Sequence, residues 1–183
     1  MSDAVKRYPA VGACGIDCGL CPRYYTAGSS RCPGCGAKDF YDVHPPCGVL
    51  SCAVEKGVEV CSLCEDYPCE RYESPKVMQD SFVTHQKMLD NLAEIREGGL
   101  DSFLERQARR IKVLEFLLAH VDAGRSKSYY CVCCTLLPLG DLEAIADTIK
   151  GIDDLSKKEL DKQARLLMEE CAQRYGIELR LMK

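Results

Sequence analysis

The 183-residue sequence contains no run of 18 apolar residues. Its nearest candidate, Tyr129 to Leu137, is half that length, so no helix is expected to span a membrane. The first residues, MSDAVKRYPAVG, lack the apolar stretch of a secretory signal, and a cytoplasmic location is expected. Positive charge is not in excess. A formal net charge of −4 speaks against a dominantly nucleic-acid-binding surface. No His-rich motif, serine nucleophile elbow, Walker loop or dinucleotide fingerprint is present, so metal-dependent hydrolysis has no support and no catalytic residue is nominated. No repeat of 20 to 50 residues is visible beyond the cysteine turns.

What the sequence has in abundance is cysteine, with 14 residues. Ten of them fall within 56 positions: Cys14, Cys18, Cys21, Cys32, Cys35, Cys47, Cys52, Cys61, Cys64 and Cys69. The same stretch holds only ten Ile, Leu, Val, Met or Phe residues, against 35 in the 114 residues from Glu70 onward. The first segment is too poor in apolar surface to offset its chain entropy alone, whereas the second can build an ordinary core. The expected organisation is a cysteine-rich module over residues 1–73 and an α-helical domain over 74–183 packed against it.

Cysteine density in a small module means disulfides or metal. Disulfides need an oxidising compartment, for which no export signal is visible. Three Cys-x-x-Cys pairs, Cys18/Cys21, Cys32/Cys35 and Cys61/Cys64, favour metal, because that spacing sets two sulfurs on one side of a tight turn. Within Cys32-Pro33-Gly34-Cys35-Gly36, Pro33 pre-sets the turn and Gly34 permits a sharp reversal. Gly36 is expected to let backbone N–H groups point at the sulfurs and offset thiolate charge.

Ten thiols suit two four-thiolate zinc sites, or two four-iron clusters, with two left over in either case. Zinc is redox-silent and satisfied by four thiolates at a closed site. Cys14-x3-Cys18-x2-Cys21 has the spacing of a cluster corner, which it shares with radical-SAM enzymes, but the chain has no room for their barrel. Nearest pairing groups Cys18, Cys21, Cys32 and Cys35, and then Cys47 or Cys52 with Cys61, Cys64 and Cys69. Interleaved pairings through Cys14 or Cys69 stay open. His44 is read as a loop histidine and not as a ligand. Residues 14–69 carry seven acidic and four basic side chains, a net of −3. Two zinc tetrathiolates would bring this to about −7, the wrong sign for binding phosphates.

Three blocks resemble a known family. They are Cys14-Gly15-Ile16-Asp17-Cys18-Gly19-Leu20-Cys21-Pro22-Arg23-Tyr24, then Cys32-Pro33-Gly34-Cys35-Gly36, then Cys47 through Tyr67-Pro68-Cys69. Together they are similar to DUF3795, a cysteine-rich family of anaerobic bacteria and archaea. Gly124 to Cys131 and Leu136-Leu137-Pro138-Leu139 resemble its longer members. The resemblance implies a metal-binding module and no established reaction. Cys133 and Cys134 stand where longer members tend to carry small residues.

In the second part, Ser74-Pro75 reads as a helix start, followed by the stripe Met78, Phe82, His85, Leu89 and Leu92. Ser102-x-x-Glu105 reads as a capping box opening a long central helix, with Leu104, Ala108, Ile111, Leu114, Leu118 and Val121 inward and Gly124 as its stop. His85 and His120 are expected as buried packing residues. Asp141 to Lys150 reads as a short helix. Ser156-x-x-Glu159 caps the last one, which places Cys171 in the core. Short β-strands are expected near 129–135 and 177–182.

The fold class is therefore mainly α, with a small irregular module of zinc-ribbon-like turns. The expected function is a two-zinc protein with a recognition or structural role toward a protein or small-molecule ligand. The alternative is an iron–sulfur or thiol redox protein.

Overall fold

A computed structural model describes residues 3, 5–73 and 79–182. Its regular elements are seven α-helices joined by 3₁₀ turns, and no strand occurs among the described residues. The N-terminal part is mostly irregular. It contains the 3₁₀ turns Cys18–Leu20, Cys61–Leu63 and Glu70–Tyr72, and two short helices, α1 (Phe40–Val43) and α2 (Gly48–Glu55). Five longer helices follow: α3 (Met88–Gly98), α4 (Leu100–Phe116), α5 (Lys127–Leu136), α6 (Leu139–Lys150) and α7 (Lys157–Tyr175).

α4 is central, as the sequence implies, and packs against α3, α5 and α6. Its N-terminal boundary is Gly99, at φ 86°, and not the Ser102 box. Ser102 lies inside the helix and accepts a hydrogen bond from Arg106. The buried face is also rotated from the expected stripe. Phe103, Gln107, Val113 and Leu114 face inward, while Ala108 is exposed. The helix runs on through a π turn, Leu117–Val121, before the chain reverses around Gly124. That extra residue per turn exposes His120, which lies against the Phe116 ring and is not a core residue.

The Ser74–Pro75 start and Met78 lie outside the described residues. Phe82 and His85 precede the helix, because α3 begins only at Met88, and Phe82 is 61% exposed. Leu89 and Leu92 do lie on α3, Leu92 buried and Leu89 exposed, and the helix ends at Gly98 as expected. Val83 and Thr84 are the buried residues of this irregular approach. His85 is half-buried, and its backbone N–H donates to Asp80.

Neither expected strand forms. Residues 129–135 lie within α5, although Tyr, Val and Thr favour a strand there. Seven consecutive residues, Tyr130 to Leu136, are buried on α5, because α4, the π turn and the Cys18–Leu20 turn enclose it. Burial on nearly every side removes the alternation that a half-exposed strand would need. The 177–182 tail instead folds back on the Asp80 loop, with Asp80 and Met182 bonded through both backbone and carboxylate and Gln86 donating to Arg180.

Other expectations hold. Ser156 and Glu159 form a reciprocal capping box, Gly176 ends α7 in the left-handed conformation, and Cys171 is fully buried with Ala164 and Met168. α6 starts two residues before Asp141, directly after Pro138.

Three apolar clusters hold the chain together. The largest joins α4–α7 and takes in Leu20 from the N-terminal part. The second joins Val11 and Val60 to Leu92, Ile95 and Phe103. Only the third, Ala13, Cys35, Phe40, Leu50 and Ala53, lies wholly within the cysteine-rich segment. The segment is thus seated on the helices through shared core.

Candidate metal centre

The cysteine-rich segment is shaped by local backbone demands. Gly34, at φ 98°, would drive a Cβ to 2.5 Å from the Pro9 carbonyl oxygen, so only glycine lets the Cys32–Cys35 turn close on the N-terminal strand of chain. Cys35 N–H donates to the same Pro9 carbonyl at 2.8 Å. The Cys35 sulfur in turn accepts the Ala13 N–H at 3.4 Å. That donor comes from 22 residues away and not from the Gly36 curl. Gly15, at φ 90°, lies so close to α3 that a Cβ would meet the Met88 carbonyl at 2.5 Å.

The seat on the helices is polar as well as apolar. Asp17 is 5% exposed and accepts from Asn91 of α3 at 2.9 Å and from Gln107 of α4 at 3.0 Å. The same amides donate onward to the Gly15 and Ala10 carbonyls. Burial pushes the Asp17 carboxyl upward, against the pull of these two amides. Asp17 stands in the first motif block, between Cys14 and Cys18, yet nothing in its sequence context marks it as the contact to two helices.

All ten N-terminal cysteines are free thiols, and nine are only half-buried. Four of them, Cys52 from α2 with Cys61, Cys64 and Cys69, line one cavity of about 160 Å³. Burial is the main influence raising the Cys61 thiol. The Tyr72 hydroxyl pulls it back, and Cys69, Cys52 and Cys64 add repulsion. Lys56 and Asp66 also line this cavity and pair at 2.7 Å.

The remaining six influence one another in pairs, and Cys18, Cys32 and Cys47 pack on the cluster that holds Cys35. The strongest thiol neighbour of Cys18 is Cys35, not its sequence partner Cys21. Their contact shifts the two in opposite directions: Cys18 is held well up, while Cys35 is brought down to about 7. Cys14 is pushed up to about 12 by burial, with Cys35, Cys47 and Cys61 around it. Cys21 feels Cys32. Cys32 and Cys47 pack on the Cys35 cluster. Cys14 therefore lies near enough to feel both Cys35 and Cys47 on one side and the cavity cysteine Cys61 on the other.

Among the described residues, no three His, Cys, Asp or Glu side chains are grouped so as to hold one metal ion. A tetrahedral zinc with Zn–S bonds of ~2.3 Å needs its sulfurs within about 4 Å of one another. Cys52, Cys61, Cys64 and Cys69 line one cavity, and four thiolates are the donor set of either a tetrahedral zinc ion or an iron–sulfur cluster. His44 is half-buried, stacked on Phe40 at 4.4 Å between ring centres, and bonded to the Pro45 carbonyl.

The other four cysteines sit on the helices, with Cys131 of α5 close to Cys21. Cys131, Cys133, Cys134 and Cys171 are all buried, and burial drives Cys131 and Cys133 up to about 12. They behave as small apolar residues.

Fold and site together define a mainly α-helical protein with a cysteine-rich N-terminal segment. Residues 10–74 match the family model described as "Protein of unknown function (DUF3795)". The match spans the segment that holds the cysteine blocks, in agreement with the resemblance those blocks imply. No curated protein and no solved structure matches the chain. Among the described residues, no helix is long and apolar enough to cross a membrane.

Proposed function

We propose that this is a metal–thiolate protein whose principal cofactor is an iron–sulfur cluster held by Cys52, Cys61, Cys64 and Cys69. One observation carries the reading: four thiols line a common cavity of about 160 Å³. Four cysteine thiolates are the usual ligand set of such clusters, which accept and release one electron when bound. The chain's own residues supply the rest. Val49, Ala53 and Val58 give the cavity an apolar wall, and Lys56 places a cation beside four anionic sulfurs. The role that follows is electron transfer to or from a partner protein at this face.

A second reading, two structural zinc ions, is supported by the contact between Cys18 and Cys35 and by the Ala13 N–H on the Cys35 sulfur. It assigns the patch around Cys14, Cys18, Cys35 and Cys47 to one ion, with Cys21 and Cys32 beside it. Metal and sulfide analysis of protein purified without oxygen separates the two. Iron with acid-labile sulfide and visible absorbance that bleaches on reduction supports the cluster. Colourless protein carrying two zinc ions per chain overturns it in favour of zinc.

A further inference from the structure

Tyr72 closes the 3₁₀ turn that follows Cys69. Its ring packs edge-on against Tyr67, with centroids 5.2 Å apart, and rests on the Val11, Val60 and Leu92 cluster. The hydroxyl oxygen at its end is buried and makes no hydrogen bond of full geometry. The polar group beside it is the thiol of Cys61, one of the four cavity cysteines. An unpaired buried phenol is costly, and a neutral thiol is a poor acceptor for it. A metal-held thiolate is a strong one. The buried hydroxyl therefore stands behind the cavity wall, beside the one sulfur that would become anionic there on binding metal.

We propose that Tyr72 donates its hydroxyl hydrogen to the Cys61 thiolate when that sulfur holds metal, and so tunes the centre in this cavity. The inference rests on the metal–thiolate reading above. A hydrogen bond withdraws electron density from the sulfur, stabilises the reduced and more negative state of a cluster, and raises its reduction potential. Tyr72 is a positioning and tuning residue. It does not ligate.

The test compares the full-length chain with Tyr72→Phe, both purified and reconstituted with iron and sulfide under anaerobic conditions. Tyr72→Phe keeps the ring and its packing and removes only the hydroxyl. The variant is expected to hold the same iron and sulfide but to show a lower reduction potential. Tyr175→Phe, which removes a phenol hydroxyl bonded to Asp141 and remote from the cavity, is expected to leave the potential unchanged. Equal potentials in wild type and Tyr72→Phe overturn the inference while leaving the cluster reading intact.

If the wild type takes up no cluster, that reading falls, and cobalt(II) becomes the probe. The thiolate-to-cobalt charge-transfer band is then expected at longer wavelength in Tyr72→Phe, and an unmoved band overturns the inference. Fluorotyrosine placed at position 72 is a stronger donor in the same ring and is expected to shift either signal the opposite way, so the test does not depend on the Phe variant folding. Failure of the wild type to bind iron or cobalt overturns both readings together.

Discussion

Asn91 Nδ2 stands 2.9 Å from Asp17 Oδ2, and this contact ties α3 to the loop that carries Cys14 and Cys18. Gln107 completes the clamp from α4 at 3.0 Å, so one buried carboxyl holds the thiol module on two helices. Asp17→Ala leaves both amides without that acceptor. The expected loss is about 3 kcal/mol, the penalty of stranding buried donors added to the lost bonds. Urea unfolding followed by circular dichroism measures it, and a loss under 1 kcal/mol would show that the clamp is dispensable.

Ligand assignment is open to substitution. Cys52→Ser or Cys64→Ser is expected to remove the metal of the four-thiol cavity, because each contributes one of its four sulfurs. Cys133→Ala and Cys171→Ala are expected to retain full metal content, since both sulfurs are fully buried in the helical core. Metal per chain, determined by elemental analysis, reads out all four variants.

Cys171 also tests packing. Removing its sulfur from the Ala164–Met168 face deletes roughly one methylene's worth of burial and leaves a small cavity, a cost of about 1 kcal/mol. Native Cys171 should react with a thiol reagent far more slowly than the half-buried cavity cysteines. Comparable labelling rates would contradict its core position.

Stripping metal with a strong chelator and reductant should unfold residues 14–69 first, because metal binding and folding are one equilibrium in so apolar-poor a segment. The shared cluster of Val11 and Val60 with Leu92, Ile95 and Phe103 adds a refinement: α3 should loosen along with the module. Hydrogen exchange is expected to rise across 14–69 and 88–98 while α5, α6 and α7 stay protected. Uniform exchange across the chain would mean that the helices have no stability of their own.

Asp161 provides a pH signature remote from the thiols. Burial alone would raise its carboxyl. Bonds from Ser126 and Tyr130 and the charge of Arg165 outweigh that and hold it below the usual carboxylate range. Tyr130 donates to it at 2.8 Å. A depressed folded pKa stabilises the fold above the unfolded value of roughly 3.9, and that contribution disappears as pH falls through the folded value. Wild type should therefore exceed Asp161→Asn in stability at pH 7, and the gap should narrow as pH drops below about 4. A gap constant across that range would exclude the carboxylate as its source.

Local signals were legible where local physics decides. The Ser156–Glu159 box, the glycine stops at Gly151 and Gly176 and the burial of Cys171 needed only neighbouring residues, and the cysteine blocks needed only their spacing. The strand expected at 129–135 failed because α4 and the Cys18–Leu20 turn enclose that segment, and enclosure erases the pattern by which strand and helix are told apart. The Ser102 box failed because the helix had already begun at Leu100, so a valid capping sequence stood one turn too late. The π turn that exposes His120 likewise has no local marker.

By itself the sequence determined that residues 14–69 concentrate ten thiols in a stretch poor in apolar residues, beside a more apolar helical part. Composition and spacing suffice for that. Only the tertiary structure decided which thiols meet. Cys18 faces Cys35 across the pair boundary, Cys52 of α2 joins Cys61, Cys64 and Cys69 around one cavity, and Asp17 and Tyr72 act from positions no motif marks. These meetings depend on chain reversals such as that at Gly34 and on close approaches such as that of Gly15 to α3, which bring distant segments within a few ångströms and leave no periodic trace in the sequence.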